Sequence, residues 1–157
     1  TFSKQTFGPS AESTEEVKQQ SNKKTTSEET QRAIEMTCDA GINIIANFIF
    51  GLPGDTLDNM KSTLDMAIRE NFEYVNFYVA LPYPGSEWYE NLLKKPLDWE
   101  SFSQFSPNIC ASPEVVKFRD EAFKTYFNRP EYLSMIEKKF GAKKHIQEML
   151  KWSIRKP

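Results

Sequence analysis

Between Ile42 and Leu81 the chain reads as a strand, a turn, a helix and a second strand, and few folds accommodate that order. Ile42 to Phe50 is almost continuously apolar and β-branched or aromatic, broken mainly by Asn43 and Asn47. Such a run suits a strand covered on both faces. The turn Gly51-Leu52-Pro53-Gly54-Asp55-Thr56 follows, and then Leu57, Met60, Leu64, Ala67 and Ile68 recur at helical spacing with charges between them. That period predicts a helix over 57–70. Tyr74 to Leu81 is a second aromatic and β-branched strand, so the crossover has the length that parallel pairing requires.

The flanks are marked by caps and stops. Thr26 precedes Glu29 at capping-box spacing, Thr30, Ala33, Ile34, Thr37 and Cys38 fall on one helical face, and Gly41 offers a stop, which predicts a helix over 27–39. Ahead of it, residues 10–31 are polar and rich in Ser, Thr, Glu, Gln and Lys; Ser13 and Glu16 repeat the capping spacing and predict a short helix over 15–20. After the second strand, Pro82-Tyr83-Pro84-Gly85-Ser86 breaks the chain, and Ser86 caps a short helix carrying Trp88, Tyr89, Leu92 and Leu93. Residues 96–112 mix Pro, Ser and aromatic side chains without a period and read as an ordered loop. Three helical segments are expected after it, over 113–127, 130–139 and 142–153, with Pro113 and Pro130 at favoured first-turn positions and Gly141 closing the middle one.

Composition narrows the classes of function. The chain has 157 residues and a formal charge of -2, too near neutral to argue for nucleic acid. No apolar stretch approaches the ~20 residues that span a bilayer, and Thr1 to Lys4 shows no signal-peptide pattern, so a cytoplasmic protein bound to neither membrane nor nucleic acid is the expectation. The two cysteines, Cys38 and Cys110, are far apart and form neither a disulfide framework nor a metal clamp. His145, the single histidine, reads as a surface residue. The basic end from Lys138 to Lys156, with Ile146, Met149, Leu150, Trp152 and Ile154, reads as a packed helix with a solvated face, the alternative being contact with membrane or nucleic acid.

A buried strand that ends in a tight glycine turn and then a capped helix sets bare backbone and a helix N-terminus at one sheet edge, where small polar cofactors bind. The bland alternative is a Gly-Pro-Gly turn that only punctuates the chain. Four features in order weigh against it: Glu12-Ser13, Asn22-Lys23-Lys24, Ala40-Gly41-Ile42 leading into Phe50-Gly51-Leu52-Pro53-Gly54, and Tyr83-Pro84-Gly85-Ser86. Together they resemble the second half of a radical S-adenosylmethionine domain, over residues 3–93. The resemblance implies an α/β fold, the C-terminal half of a parallel (β/α) partial TIM-type barrel over 1–95, followed by a loop and small α-helical extension over 96–157. It also implies S-adenosylmethionine contacts: Glu12 and Ser13 at the ribose and methionyl end, Ile49 and Gly51 beside the adenine, and the backbone of Ala80 and Leu81 at the adenine edge.

The tail carries a second resemblance, in Glu114-Val115-Val116-Lys117-Phe118-Arg119-Asp120-Glu121-Ala122-Phe123, Tyr126-Phe127, Arg129-Pro130-Glu131-Tyr132-Leu133 and Lys139-Phe140-Gly141. It is similar to the C-terminal extension of radical enzymes with an N-terminal cobalamin-binding domain, a group of methyltransferases and ring-forming enzymes. Departures are also plain. The C-x-x-x-C-x-x-C loop that holds a 4Fe-4S cluster is absent, and two separated thiols cannot replace it. Glu12-Ser13-Thr14 is one residue short of the family's Glu-Ser-Gly-Ser, Asn47 stands at the first glycine of the fifth-strand pattern, and the closing acidic residue falls at Asp55.

The expectation is therefore a segment of an enzyme that cleaves S-adenosylmethionine reductively at a 4Fe-4S cluster and abstracts hydrogen from a small-molecule substrate, with cobalamin-dependent methyl transfer as one outcome. This segment would be inactive alone. Its partner would be the remaining half-barrel, and isolated strand edges would favour self-association. A non-catalytic, truncated or degenerate α/β domain used for binding or assembly is the alternative. On that view Glu12 is a solvated or capping carboxylate and Asp55 a helix-end charge. Phe102, Phe105, Phe118, Phe123, Tyr126, Phe127 and Tyr132 read as core and interface rings, or as an aromatic substrate wall.

Overall fold

A computed structural model describes residues 26–92, 103–104 and 112–141. Glu12, Ser13, the helix expected over 15–20, Phe102, Phe105, Cys110, His145 and the segment 142–153 lie outside the described residues. The first element, α1 (Ser27–Asp39), starts where the capping box predicts: the Thr26 hydroxyl accepts from the Glu29 N–H at 3.1 Å, and the Glu29 carboxylate accepts from the Thr26 N–H at 2.8 Å.

Strands β1 (Ile45–Phe50) and β2 (Tyr74–Val79) pair in parallel, in register from Ile45 opposite Tyr74 to Phe50 opposite Val79. They are joined by α2 (Leu57–Glu70), capped by Thr56, whose hydroxyl accepts from the Asn59 N–H at 3.2 Å. Asn71 ends α2 in the left-handed region, at φ 50°, a conformation asparagine tolerates better than most residues. β1 starts three residues later than the apolar run suggests. The backbone of Ile44 already leaves the ladder at its donor, which goes to the buried carboxylate of Glu73 at 3.0 Å. β2 stops at Val79, although the Ala80 N–H still donates to the Phe50 carbonyl at 2.8 Å, because Pro82 follows.

Among the described residues, helices cover one face of the sheet, not two. Ala46, Phe48, Phe50, Val75, Phe77 and Val79 are buried, while Ile45, Asn47, Ile49, Asn76 and Tyr78 are half-buried and Tyr74 is exposed. The cause is that both packing helices lie on the same side. Met60 and Ala67 of α2 share one core with the strands, and so do Ala122, Tyr126 and Phe127 of α4 (Pro113–Phe127). Ring contacts carry much of this packing: Phe118 meets Phe50 edge-on at 5.0 Å, and Phe123 and Tyr126 meet Phe77 at 6.1 Å and 5.9 Å.

Between β2 and α4 lies the short α3 (Glu87–Leu92), and the described chain closes with α5 (Pro130–Phe140). Pro113 and Pro130 open their helices at the first turn, as expected. The two closing helices are tied to the β-α-β unit by two buried hydrogen bonds and a partly buried ion pair. The Tyr126 hydroxyl donates to the Phe72 carbonyl at 2.7 Å, the Tyr132 hydroxyl donates to the Glu73 carbonyl at 3.1 Å, and Lys139 pairs with the Glu73 carboxylate. Arg129 lies between the helices and the end of α2, donating to the Ile68 carbonyl at 3.0 Å, to Asn71 Oδ1 at 2.8 Å and to the Tyr126 carbonyl at 3.0 Å. The fold is thus α/β, helices around a two-stranded parallel sheet. Among the described residues no helix is long and apolar enough to cross a membrane.

Candidate functional site

The C-terminal ends of β1 and β2 are shaped by two turns. In the first, Leu52-Pro53-Gly54-Asp55 closes with the Asp55 N–H donating to the Leu52 carbonyl at 2.9 Å. Pro53 in second place and Gly54 at φ +78° in third are the requirements of a type II turn. Gly51 sits at φ +80°, and its N–H donates to the Asp55 carboxylate at 2.9 Å. Asp55 therefore staples the turn from inside, a role beyond the helix-end charge expected of it. Burial raises its carboxyl above the usual carboxylate range, and the backbone N–H groups of Gly51, Thr56 and Leu52 only partly oppose that shift.

In the second turn Ser86 is the organiser. Its hydroxyl donates to the Tyr83 carbonyl at 2.7 Å and accepts from the Tyr89 N–H at 3.1 Å, so the chain folds back into α3 as its capping position predicts. Gln104 lies beside this turn, and its carbonyl accepts from the Val79 N–H at 3.2 Å on the outer edge of β2.

Between the turns lies an open cleft of about 240 Å³ whose walls include Ile49, Leu52, Ala80, Leu81, Tyr83 and Trp88. Three of the residues picked out in the sequence, Ile49, Ala80 and Leu81, come together here. Gly51 stands next to the cleft without lining it. Its Cα faces α4 instead, where an added Cβ would meet Val115 Cγ1 at 3.0 Å. The glycine is thus required by the turn and by helix packing. Leu52, Tyr83 and Trp88 line the cleft as well; the sequence places them in or beside the glycine and proline turns but assigns them no cofactor contact.

The half-open sheet face leads into this cleft, because Ile49 belongs to both. Below Ile49 on that face, Asn76 Nδ2 donates to Asn47 Oδ1 at 2.9 Å across the two strands. The cleft's wall suits a flat apolar ring, and among the described residues that line it none is an acid or a base. Among the described residues no group of three or more His, Cys, Asp or Glu side chains is placed to hold a metal. Cys38 is exposed on α1, and its thiol is raised by partial burial and by the carboxylate of Glu73, which disfavours a reactive thiolate.

No family model matches the chain. It is similar to three curated proteins. An uncharacterised methyltransferase of Pyrococcus horikoshii is 26% identical over 101 residues, which cover 59% of this chain and 22% of the relative. The anaerobic magnesium-protoporphyrin IX monomethyl ester cyclase of Rubrivivax gelatinosus is 34% identical over 88 residues, 55% of this chain and 16% of the relative. The bacteriochlorophyllide d C-8(2)-methyltransferase of Chlorobaculum tepidum is 24% identical over 143 residues, 79% of this chain and 32% of the relative. The chain matches at most about a third of the length of these relatives.

Proposed function

We propose that this chain is a segment of a radical S-adenosylmethionine enzyme, built as the C-terminal half of a parallel (β/α) partial barrel with a helical extension, whose chemistry is methyl transfer or ring formation. The observation that carries the reading is the convergence of Ile49, Ala80 and Leu81 on one apolar cleft at the C-terminal ends of two parallel strands. That end of an α/β sheet is where such folds bind ligands. Two methyltransferases and a cyclase among the similar proteins agree with it.

The residues present fit the adenosyl end of S-adenosylmethionine. Ile49, Leu52 and Leu81 offer apolar walls for a purine, and Tyr83 and Trp88 offer rings of matching shape. They do not fit a 4Fe-4S cluster: Cys38 and Cys110 are the chain's two thiols, one fewer than the cluster needs. Cluster ligands, cobalamin contacts and the Glu12 and Ser13 contacts belong to parts of the protein beyond the described residues. Bound S-adenosylmethionine would supply, on one-electron reduction, a 5'-deoxyadenosyl radical. The work of this chain is to bind and orient. Asp55 and Thr56 hold the turn that presents Leu52, Ser86 holds the turn that presents Tyr83, and the apolar walls exclude water from the ring.

The test is product formation by the full-length protein, reconstituted with iron and sulfide under anaerobic conditions and reduced with dithionite. Formation of 5'-deoxyadenosine from S-adenosylmethionine supports the reading. A full-length protein that binds no cluster and forms none of it overturns the reading in favour of a non-catalytic domain.

A further inference from the structure

The half-open face of the sheet carries a feature that the adenosyl cleft leaves unused. Asn47 and Asn76 stand directly opposite each other in the parallel register and are joined by the single bond from Asn76 Nδ2 to Asn47 Oδ1. Asparagine is depleted from strand interiors, so two in register on one face call for a reason beyond strand formation. The bond uses one N–H of Asn76 and one lone pair of Asn47. The pair keeps both N–H groups of Asn47, the second N–H of Asn76, the carbonyl oxygen of Asn76 and one lone pair of Asn47 Oδ1. Among the described residues no other hydrogen bond reaches these side chains, which are half-buried between Ile45 and Ile49 on one strand and Tyr74 and Tyr78 on the other.

We infer that the Asn47–Asn76 pair is a second binding site, one that takes the neutral amide or lactam edge of an otherwise apolar, flat substrate. Free donors and acceptors lie side by side on neighbouring strands about 4.8 Å apart at the backbone, near enough for the oxygen and the N–H of one ligand amide to reach both side chains. Among the described residues, the strand side chains that flank the pair on its own face, Ile45, Ile49, Tyr74 and Tyr78, are apolar or phenolic and none is cationic. A carboxylate seated there would lose its hydration with no counter-charge, whereas a neutral amide would not. Ile49 lies two residues above Asn47 on the same face, about 7 Å away, and lines the cleft. A substrate held by the pair would thus reach toward the cleft at the strand ends. The inference rests on the reading that this face is the working side of the sheet.

The experiment uses three flat probes of nearly one shape, benzamide, benzoate and toluene, titrated into protein labelled with ¹⁵N at the asparagine side chains. The expected result is a saturable shift of the Asn47 and Asn76 amide signals by benzamide, with benzoate and toluene at least tenfold weaker. A double substitution, Asn47→Leu with Asn76→Leu, removes donor and acceptor together and leaves no orphaned polar group, so the fold should survive it. Benzamide binding should then be lost while circular dichroism is unchanged. Absence of a saturable benzamide shift overturns the inference, as does equal binding of benzoate or benzamide binding that persists in the double variant. Should the double variant not fold, the wild-type comparison of benzamide with benzoate decides alone. S-adenosylhomocysteine, titrated separately, reports on the adenosyl cleft; binding of that ligand without any benzamide response sinks this inference and spares the proposed function.

Discussion

Val115 of α4 closes the space beside Gly51, so that a Cβ placed on the glycine would stand 3.0 Å from Val115 Cγ1. The helical tail therefore braces the turn at the end of β1. Gly51→Ala should lower stability by about 1–3 kcal/mol, from the left-handed backbone and from the contact together. In combination with Val115→Ala, part of the contact penalty should vanish, giving a favourable coupling of about 0.5–1 kcal/mol in a double-mutant cycle measured by chemical denaturation. Strict additivity would mean that α4 does not press on this turn.

Asp55 should act on the turn as an acceptor more than as a charge. Its carboxyl, raised by burial, binds a proton more tightly in the folded chain than in the unfolded one. Protonation thus favours the fold: the contribution is absent at neutral pH, appears as pH falls through the folded value, and is complete below the ordinary carboxylate range. Asp55→Asn keeps an acceptor for the Gly51 N–H, so it should be at least as stable as wild type at pH 7, with an advantage that shrinks as pH falls. Asp55→Ala leaves that N–H unpaired and should lose about 1–2 kcal/mol. Thermal melts across pH 4–7 read both, and an Asn variant as damaged as the Ala variant would contradict the assignment.

Arg129 makes its three bonds with a planar fork, to Ile68, Asn71 and Tyr126, and its guanidinium lies 4.5 Å over the Tyr126 ring. Arg129→Lys should recover little of that geometry. We expect Arg129→Met and Arg129→Lys each to lose about 1–3 kcal/mol in urea unfolding. Full retention of stability in the Lys variant would show that charge alone holds the tail.

Local signals in the sequence carried much of the fold. The Thr26–Glu29 capping box, the first-turn prolines at 113 and 130, and the strand and helix periods between Ile42 and Leu81 each lie within a few residues of what they specify. Pairings between distant residues were not legible. Ile45, Ile49 and Tyr78 are as apolar as their buried neighbours, so the sequence suggested a sheet covered on both faces. The Asn47–Asn76 bond depends on strand register, and the approach of Val115 to Gly51 and of Arg129 to Ile68 spans more than 60 positions in each case. Of the residues that line the cleft, Ile49, Ala80 and Leu81 stand out in the sequence because they follow a motif order; Tyr83 opens the Tyr83–Ser86 turn motif without a contact assigned to it, and Trp88 belongs to no motif.

The central claim is that the cleft at the strand ends holds the adenosyl group of S-adenosylmethionine. Calorimetric titration of the full-length protein with S-adenosylmethionine tests it most directly, with Ile49→Ala in the cleft wall and Met36→Ala on the exposed face of α1 as paired variants. Removing the Ile49 side chain beyond Cβ takes about 1–2 kcal/mol of apolar contact from the ligand, a five- to thirtyfold loss of affinity. The account predicts that loss for Ile49→Ala and wild-type affinity for Met36→Ala, both with unchanged circular dichroism. Equal affinity of wild type and Ile49→Ala would contradict it.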